Sequence, residues 1–191
     1  MEQTPKLLSV ARELIDQLER DSIPYALGGA LALAYWSDPR GTLDIDITVF
    51  VSVAELHRVV RSLESLGATI DHDAARESAV KRGMFATSLH GYRLDLFIPD
   101  IPLYESARGR RRSVLLQGRP ALVWSAEDSV IFKLLYFRTK DRADIEALVR
   151  IQSADLDAGY IHRWLLEMVG EDDDRVRWFD SIIAAERTRI P

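Results

Sequence analysis

Two aspartates stand where a chain does not ordinarily put them. Asp44 and Asp46 lie one residue apart inside LDIDITVFV, an apolar and β-branched run. An unpaired charge buried in such a run is costly, and a cation that belongs there would remove the cost. On a strand, residues two apart face the same way with Cα atoms roughly 6.5 to 7 Å apart. Two carboxylates so placed can converge on one or two hard cations such as Mg2+, whose ligands are oxygens. The plain alternative is an exposed acidic pair at the end of a loop. Asp95, the lone acid of Leu94-Asp95-Leu96-Phe97, reads by itself as a surface acid on a half-exposed strand. If that strand lies beside the Asp44 strand, three carboxylates share one sheet face. That arrangement suits phosphoryl chemistry with two metal ions, one orienting nucleotide phosphates and one activating an acceptor hydroxyl.

Other residues could serve an anion. Gly28-Gly29 falls between a strand and a helix, where glycine lets backbone approach a phosphate and a helix N-terminus favours negative charge; a tight turn explains the pair equally well. Arg40 and Thr42 precede the acidic pair and could hold phosphate oxygens, or Arg40 could merely balance the acids. Lys133 is the only charge in VIFKLLYF, and a buried ammonium needs a partner or an anionic ligand; a snorkelling lysine is the alternative. In one continuous helix Lys140 and Asp144 would each fall within about 20° of Lys133, and a break near Thr139 would spoil the alignment. Four arginines among residues 108 to 112 (Arg108, Arg110, Arg111, Arg112) could grip RNA phosphates or form a solvated face. His57, His72, His90 and His162 show no metal-ligand spacing.

The elements that must position these groups follow from periodicity. Residues 5 to 20 form an amphipathic helix with Pro5 in its first turn, and Ile23 to Leu27 a short strand. Ala30 to Trp36 form a compact helix, and Leu43 to Val51 the strand carrying the acidic pair, with Asp44, Asp46 and Thr48 on one face. A helix covers 53 to 66, and 68 to 70 read as a short strand. The polar stretch 71 to 82 is ambiguous. Met84 to Leu89 and Tyr92 to Ile98 form a hairpin around His90-Gly91; 101 to 109 are helical, and residues 113 to 117 and 119 to 123 form a second hairpin. Beyond Ser125, which opens a capping-box pattern, the chain reads as helices over 126–137, 140–152, 155–169 and 173–187. The expected organisation is an α/β domain over residues 1–124 and a helical subdomain over 125–191.

At 191 residues the chain has length for one ordinary domain or a domain with an appended subdomain. The absence of cysteine excludes disulfides and thiolate metal sites. A net charge of −5 argues against a general nucleic-acid coat. No apolar run approaches the roughly 20 residues of a membrane span, so a cytoplasmic protein without membrane partners is expected.

Gly28-Gly29, Arg40-x-Thr42-x-Asp44-Ile45-Asp46 and the later Asp95 together resemble the DNA polymerase β-type nucleotidyltransferase superfamily. Ser125-Ala126-Glu127-Asp128, Lys133 and Arg138-x-Lys140-Asp141-x-x-Asp144 are similar to its minimal, AbiEii- or MenT-like branch. The resemblance implies a mixed β-sheet flanked by helices, then a helical bundle, and Mg2+-dependent transfer of a nucleoside monophosphate from an NTP with release of pyrophosphate. It further implies that Asp44 and Asp46 bind metal and that Asp95 binds metal or takes the acceptor proton. Gly28, Gly29 and Arg40 would hold the triphosphate, Lys133 would contact phosphate, and Asp144 would orient Lys133 or the acceptor. Many superfamily members carry Gly-Ser at the first motif; Gly-Gly here removes one hydroxyl contact. The acceptor expected first is an RNA end such as tRNA, as for a toxin with a partner antitoxin. A small antibiotic-like hydroxyl compound, a protein hydroxyl, or a non-catalytic nucleotide-binding role are the alternatives.

Overall fold

The structure, a computed structural model, describes residues 6–188; the reading of Pro5 lies outside them. Backbone contacts divide the chain into two units. One comprises the residues up to Leu31 together with Gly41–Val123, and the other Ala32–Arg40 together with Trp124 onward. The excursion Ala32–Arg40 therefore belongs with the helical half, which the sequence did not announce.

The first unit is built on a six-stranded mixed sheet. Its strands are β1 (Tyr25–Leu27), β2 (Asp44–Val49), β3 (Met84–Leu89), β4 (Tyr92–Phe97), β5 (Arg112–Leu116) and β6 (Arg119–Val123), in the spatial order β3-β4-β2-β1-β6-β5. β2 runs antiparallel to β1 and parallel to β4, and the β3–β4 and β5–β6 pairs are antiparallel hairpins. The strand pattern follows the side-chain alternation: Ile45, Ile47 and Val49 on β2 and Leu94 and Leu96 on β4 are fully buried, while Asp44, Asp46 and Asp95 on the opposite face are half-buried. Thr48, expected on the acidic face, is itself buried.

Helix α1 (Leu7–Arg20) contributes Val10, Ala11, Leu14, Ile15 and Leu18 to the core. Those positions repeat at helical spacing and give one apolar stripe. Leu8 falls off that stripe and is exposed. Helix α2 (Gly29–Leu33) is a single short turn that stops sooner than expected. A 3-10 turn at Val53–Glu55 leads into α3 (Leu56–Ser65), which buries Leu56, Val59, Val60 and Leu63. The strand expected at 68 to 70 does not form. Gly67 turns the chain at φ 91°, and Asp71 already caps α4 (His72–Arg82) by accepting from the Ala74 amide at 3.0 Å, so the intervening residues pair with no strand. α5 (Leu103–Arg110) completes the unit.

The second unit holds α6 (Ala126–Tyr136), α7 (Thr139–Gln152), α8 (Ala158–Val169) and α9 (Asp174–Arg187). The Ser125 hydroxyl oxygen accepts from the Asp128 amide at 3.1 Å and its O–H donates to the Asp128 carboxylate at 2.6 Å. The Tyr160 hydroxyl donates to the other Asp128 oxygen at 2.8 Å, so this fully buried acid ties α6 to α8. The excursion is tied in the same way. The Trp36 indole N–H donates to the Trp124 carbonyl at 2.9 Å, and the Gln152 amide donates to the Trp36 carbonyl at 2.8 Å. Among the described residues no helix is long and apolar enough to cross a membrane.

Candidate active site

Parallel pairing of β2 with β4 sets Asp46 directly opposite Asp95 and Asp44 directly opposite Arg93. Adjacent strands lie about 4.8 Å apart, and side chains opposite each other in register share a face. Four charged residues therefore occupy the corners of one patch, three acids and one arginine. The alternation that placed Arg93 and Asp95 on one face was legible in Arg93-Leu94-Asp95, but only the acids were weighed as site residues. Arg93 was missed.

Arg93 engages both oxygens of Asp95, with Nε at 3.0 and 3.1 Å and Nη2 at 2.9 Å from Oδ1. The hydrogen bond to Asp95 and the Asp95 charge raise the Arg93 pKa above its ordinary value, with smaller pulls from Asp44 and Asp46. The charge of all three acids thus converges on one guanidinium. Among the described residues, no three histidine or carboxylate side chains are drawn together closely enough to hold a metal ion. The donor type nonetheless fits Mg2+, since all three groups are hard oxygen ligands on one face.

Gly28 and Gly29 both bear on Asp46. The Gly28 amide already donates to the Asp46 carbonyl at 2.8 Å, extending the β1–β2 ladder past Leu27. Gly29 has φ 56°, and a β-carbon there would come within 1.9 Å of Asp46 Oδ2 and 2.8 Å of its Cβ. Only a residue without a side chain leaves the Asp46 carboxylate where it is. The five-residue α2 behind it is too short to offer much of a helix dipole. Thr42 is likewise committed to scaffolding: its hydroxyl accepts from the Asp44 amide at 3.1 Å and donates to the Asp44 carbonyl at 3.3 Å, fixing the entry to β2.

The second group of candidates lies within the helical unit. Lys133, only 9% exposed, has its partner in Asp144, at 2.6 Å, with Asp141 at 3.8 Å. Arg40 approaches the same Asp144 with two nitrogens, at 2.8 and 3.0 Å. Arg138 in turn donates to Asp141 from its side chain at 2.7 Å and its backbone at 3.1 Å. Burial pushes the Asp144 carboxyl upward, but hydrogen bonds from Arg40 and Lys133 outweigh it and hold the group below its ordinary value. At Asp141 burial again acts upward and is overcome by Arg138 and Lys133.

The chain does break near Thr139, between the two expected helices, so Lys133, Lys140 and Asp144 are not aligned along one helix. α6 ends at Phe137, in the left-handed conformation at φ 51°, and α7 begins a new axis at Thr139. Folding α7 back onto α6 brings Asp144 to Lys133 and leaves Lys140 exposed. Lys140 is thus outside the cluster.

The arginine run is only partly a solvated face. Arg111 donates to the Tyr25 carbonyl at 2.6 Å and to the Arg108 carbonyl at 2.8 Å, and both Arg108 and Arg111 lie 5.1 Å from the Phe50 ring centroid. Three histidines have single acidic neighbours, His72 with Glu64, His90 with Glu13 and His162 with Asp180.

No family model matches the chain, and no curated protein matches it in sequence. Solved structures do. The chain is similar to the solution structure of the antibiotic-resistance factor ANT(2'')-Ia, at 17% identity over 95% of this chain and 91% of that one, with a TM-score of 0.53. The crystal structure of ANT(2'')-Ia in complex with adenylyl-2''-tobramycin gives 17% identity, 96% and 98% coverage and a TM-score of 0.52. The lincomycin-bound lincosamide antibiotic adenylyltransferase LnuA gives 18% identity over 78% of this chain and 99% of that one, with a TM-score of 0.56. At such identities the likeness is one of fold: the chain has the nucleotidyltransferase fold, with a six-stranded mixed sheet flanked by helices and a helical C-terminal half.

Proposed function

We propose that this chain transfers a nucleoside monophosphate from a nucleoside triphosphate to a hydroxyl group of a small molecule, with Mg2+ held by Asp44, Asp46 and Asp95. The observation that carries the reading is the register of β2 and β4, which makes Asp46 and Asp95 neighbours with Asp44 on the same face. The acceptor class is favoured by the two fold neighbours, ANT(2'')-Ia with its adenylylated tobramycin and LnuA with lincomycin.

In the reaction the acceptor oxygen forms a bond to the α-phosphorus while the bond from that phosphorus to the pyrophosphate oxygen breaks. The hydroxyl proton passes to a carboxylate, for which Asp95 is the candidate. Bound Mg2+ supplies positive charge against the triphosphate and the leaving pyrophosphate. Asp44 and Asp46 supply its oxygen ligands, and Gly29 keeps the Asp46 carboxylate in place. In the helical unit Lys133 and Arg40 are the candidates for phosphate contact, with Asp144 orienting both. Arg40, Lys133 and Arg138 against Asp141 and Asp144 leave that cluster with one net positive charge, a suitable balance for an anion.

An RNA acceptor, with a toxin role and a cognate antitoxin, rests on the resemblance to the AbiEii- or MenT-like branch, with the arginine run in slight support. Arg108 and Arg111 are already engaged with Phe50, which leaves that reading the weaker one. The deciding experiment offers the protein Mg2+, each labelled NTP, and in parallel aminoglycosides, lincosamides and total cellular RNA. Label in a small hydroxyl compound, lost in Asp44→Asn and Asp46→Asn, is the expected result. Label confined to RNA would transfer the conclusion to the toxin reading, and nucleotide binding without transfer to any acceptor would leave a non-catalytic protein.

A further inference from the structure

We propose that Arg93 is a positioning residue, an internal counter-cation that occupies Asp95 and must be displaced for a divalent cation to take that carboxylate. It would thereby set the cation affinity of the β2–β4 face. The inference rests on the metal-binding reading above and adds to it a residue with no place in the expected site.

The register makes the case. Arg93 lies opposite Asp44 and two residues from Asp95 on the same face, so it stands inside the acidic patch. It spends three nitrogen–oxygen contacts, at 2.9 to 3.1 Å, on the two Asp95 oxygens. A divalent ion seeking either oxygen meets a guanidinium already in place and is repelled by its charge. With Arg93 paired the patch carries two net negative charges; with the guanidinium gone it carries three.

The pair is also built to be exchanged. The Asp95 side chain is 15% exposed and the Arg93 side chain 59% exposed. The arginine end of the pair is solvated, which limits what the pair contributes to stability, and the long arginine arm can move into solvent without opening the core.

Calorimetric titration of Mn2+ into the nucleotide-free protein tests this, using the unsubstituted chain, Arg93→Gln and Arg93→Lys. Removing one positive charge several ångströms from the ion is expected to tighten binding about tenfold in Arg93→Gln. Arg93→Lys, a point charge without the planar fork, is expected to gain less. In an Asp95→Asn background the Arg93→Gln gain is expected to be smaller than in the unsubstituted chain, because the part that comes from freeing Asp95 is gone and only direct repulsion of the ion remains. Thermal unfolding of Arg93→Gln and Arg93→Lys checks that both fold. Equal or weaker binding by a folded Arg93→Gln overturns the role of Arg93 while leaving the metal site standing. Failure of both the unsubstituted protein and Arg93→Gln to bind Mn2+ overturns the metal site and this inference together.

Discussion

Asp46 Oδ2 lies 1.9 Å from the point at which a β-carbon on Gly29 would sit. The second glycine of the pair is therefore a space reserved for a carboxylate. Gly29→Ala must push Asp46 aside and must also hold φ 56°, a left-handed conformation that costs roughly 1 to 2 kcal/mol in a residue with a side chain. Nucleotidyl transfer should fall on the order of 100-fold, the scale of a displacement of about 1 Å in a reacting constellation. Gly41→Ala is the matched control, since nothing lies within 4 Å of its β-carbon position. Urea unfolding and transfer rates measured on both variants separate the effects, and a fully active Gly29→Ala would sink the argument.

Asp46→Asn and Asp95→Asn should divide activity from stability. Each removes one of several like charges on one face, which eases repulsion in the folded state, so the melting temperature should hold or rise. Each also replaces an anionic oxygen ligand or proton acceptor by a neutral amide, and a loss of several kcal/mol of transition-state stabilisation corresponds to on the order of a 10³-fold lower kcat. Differential scanning calorimetry beside a labelled-NTP assay reads both. Parallel loss of stability and activity would mean that these carboxylates are scaffold.

The elements were legible because most bury a single face, and that leaves a period in the sequence. Leu94, Leu96 and Ile98 against Arg93, Asp95 and Phe97 is such a pattern, and it located the acidic face correctly. What sequence could not supply was the partner across the sheet, because register is a tertiary fact. The expected neighbourhood of Asp44, Asp46 and Asp95 depended on an unproven pairing, and Arg93 became a candidate only when it came to stand opposite Asp44. The Gly28-Gly29 pair fits an approach to phosphate and a tight turn equally well in sequence, because a glycine records an absent side chain without recording what fills the space. A single helix would align Lys133 with Asp144, but the break near Thr139 that separates the two expected helices does occur; the structure joins the pair by folding the second helix back after Phe137. Ala32–Arg40 joined the α/β half on paper because its ties to Trp124, Asp144 and Gln152 span about a hundred positions.

Acid unfolding should report on Asp141 and Asp144. Both have folded-state pKa values held below the ordinary 3.8. Their contribution to stability is complete above that value and is lost as pH falls through the lower folded values. Tryptophan fluorescence of the protein in urea, followed from pH 6 to pH 2, should show the midpoint falling below about pH 4. In Asp144→Asn that acid limb should be shallower, with lower stability already at pH 6. An acid limb unchanged by the substitution would assign the pH dependence to other carboxylates.

Lys133 and Asp144 make a buried pair whose two halves should not cost the same. Asp144→Ala leaves the Lys133 ammonium, 9% exposed, with only Asp141 at 3.8 Å. Stranding a buried charge in this way costs about 3 to 5 kcal/mol. Lys133→Met removes the cation instead and leaves Asp144 its two contacts from Arg40 at 2.8 and 3.0 Å, so about 1 to 2 kcal/mol is expected, the scale of a lost charged hydrogen bond. Lys140→Ala, on an exposed position, should stay within about 0.5 kcal/mol. If Lys133 also contacts phosphate, Lys133→Met should weaken nucleotide binding and Lys140→Ala should leave it alone. Guanidinium unfolding with calorimetric NTP titration measures both, and an Asp144→Ala penalty smaller than that of Lys133→Met would show that the carboxylate is not what holds this lysine in the helical unit.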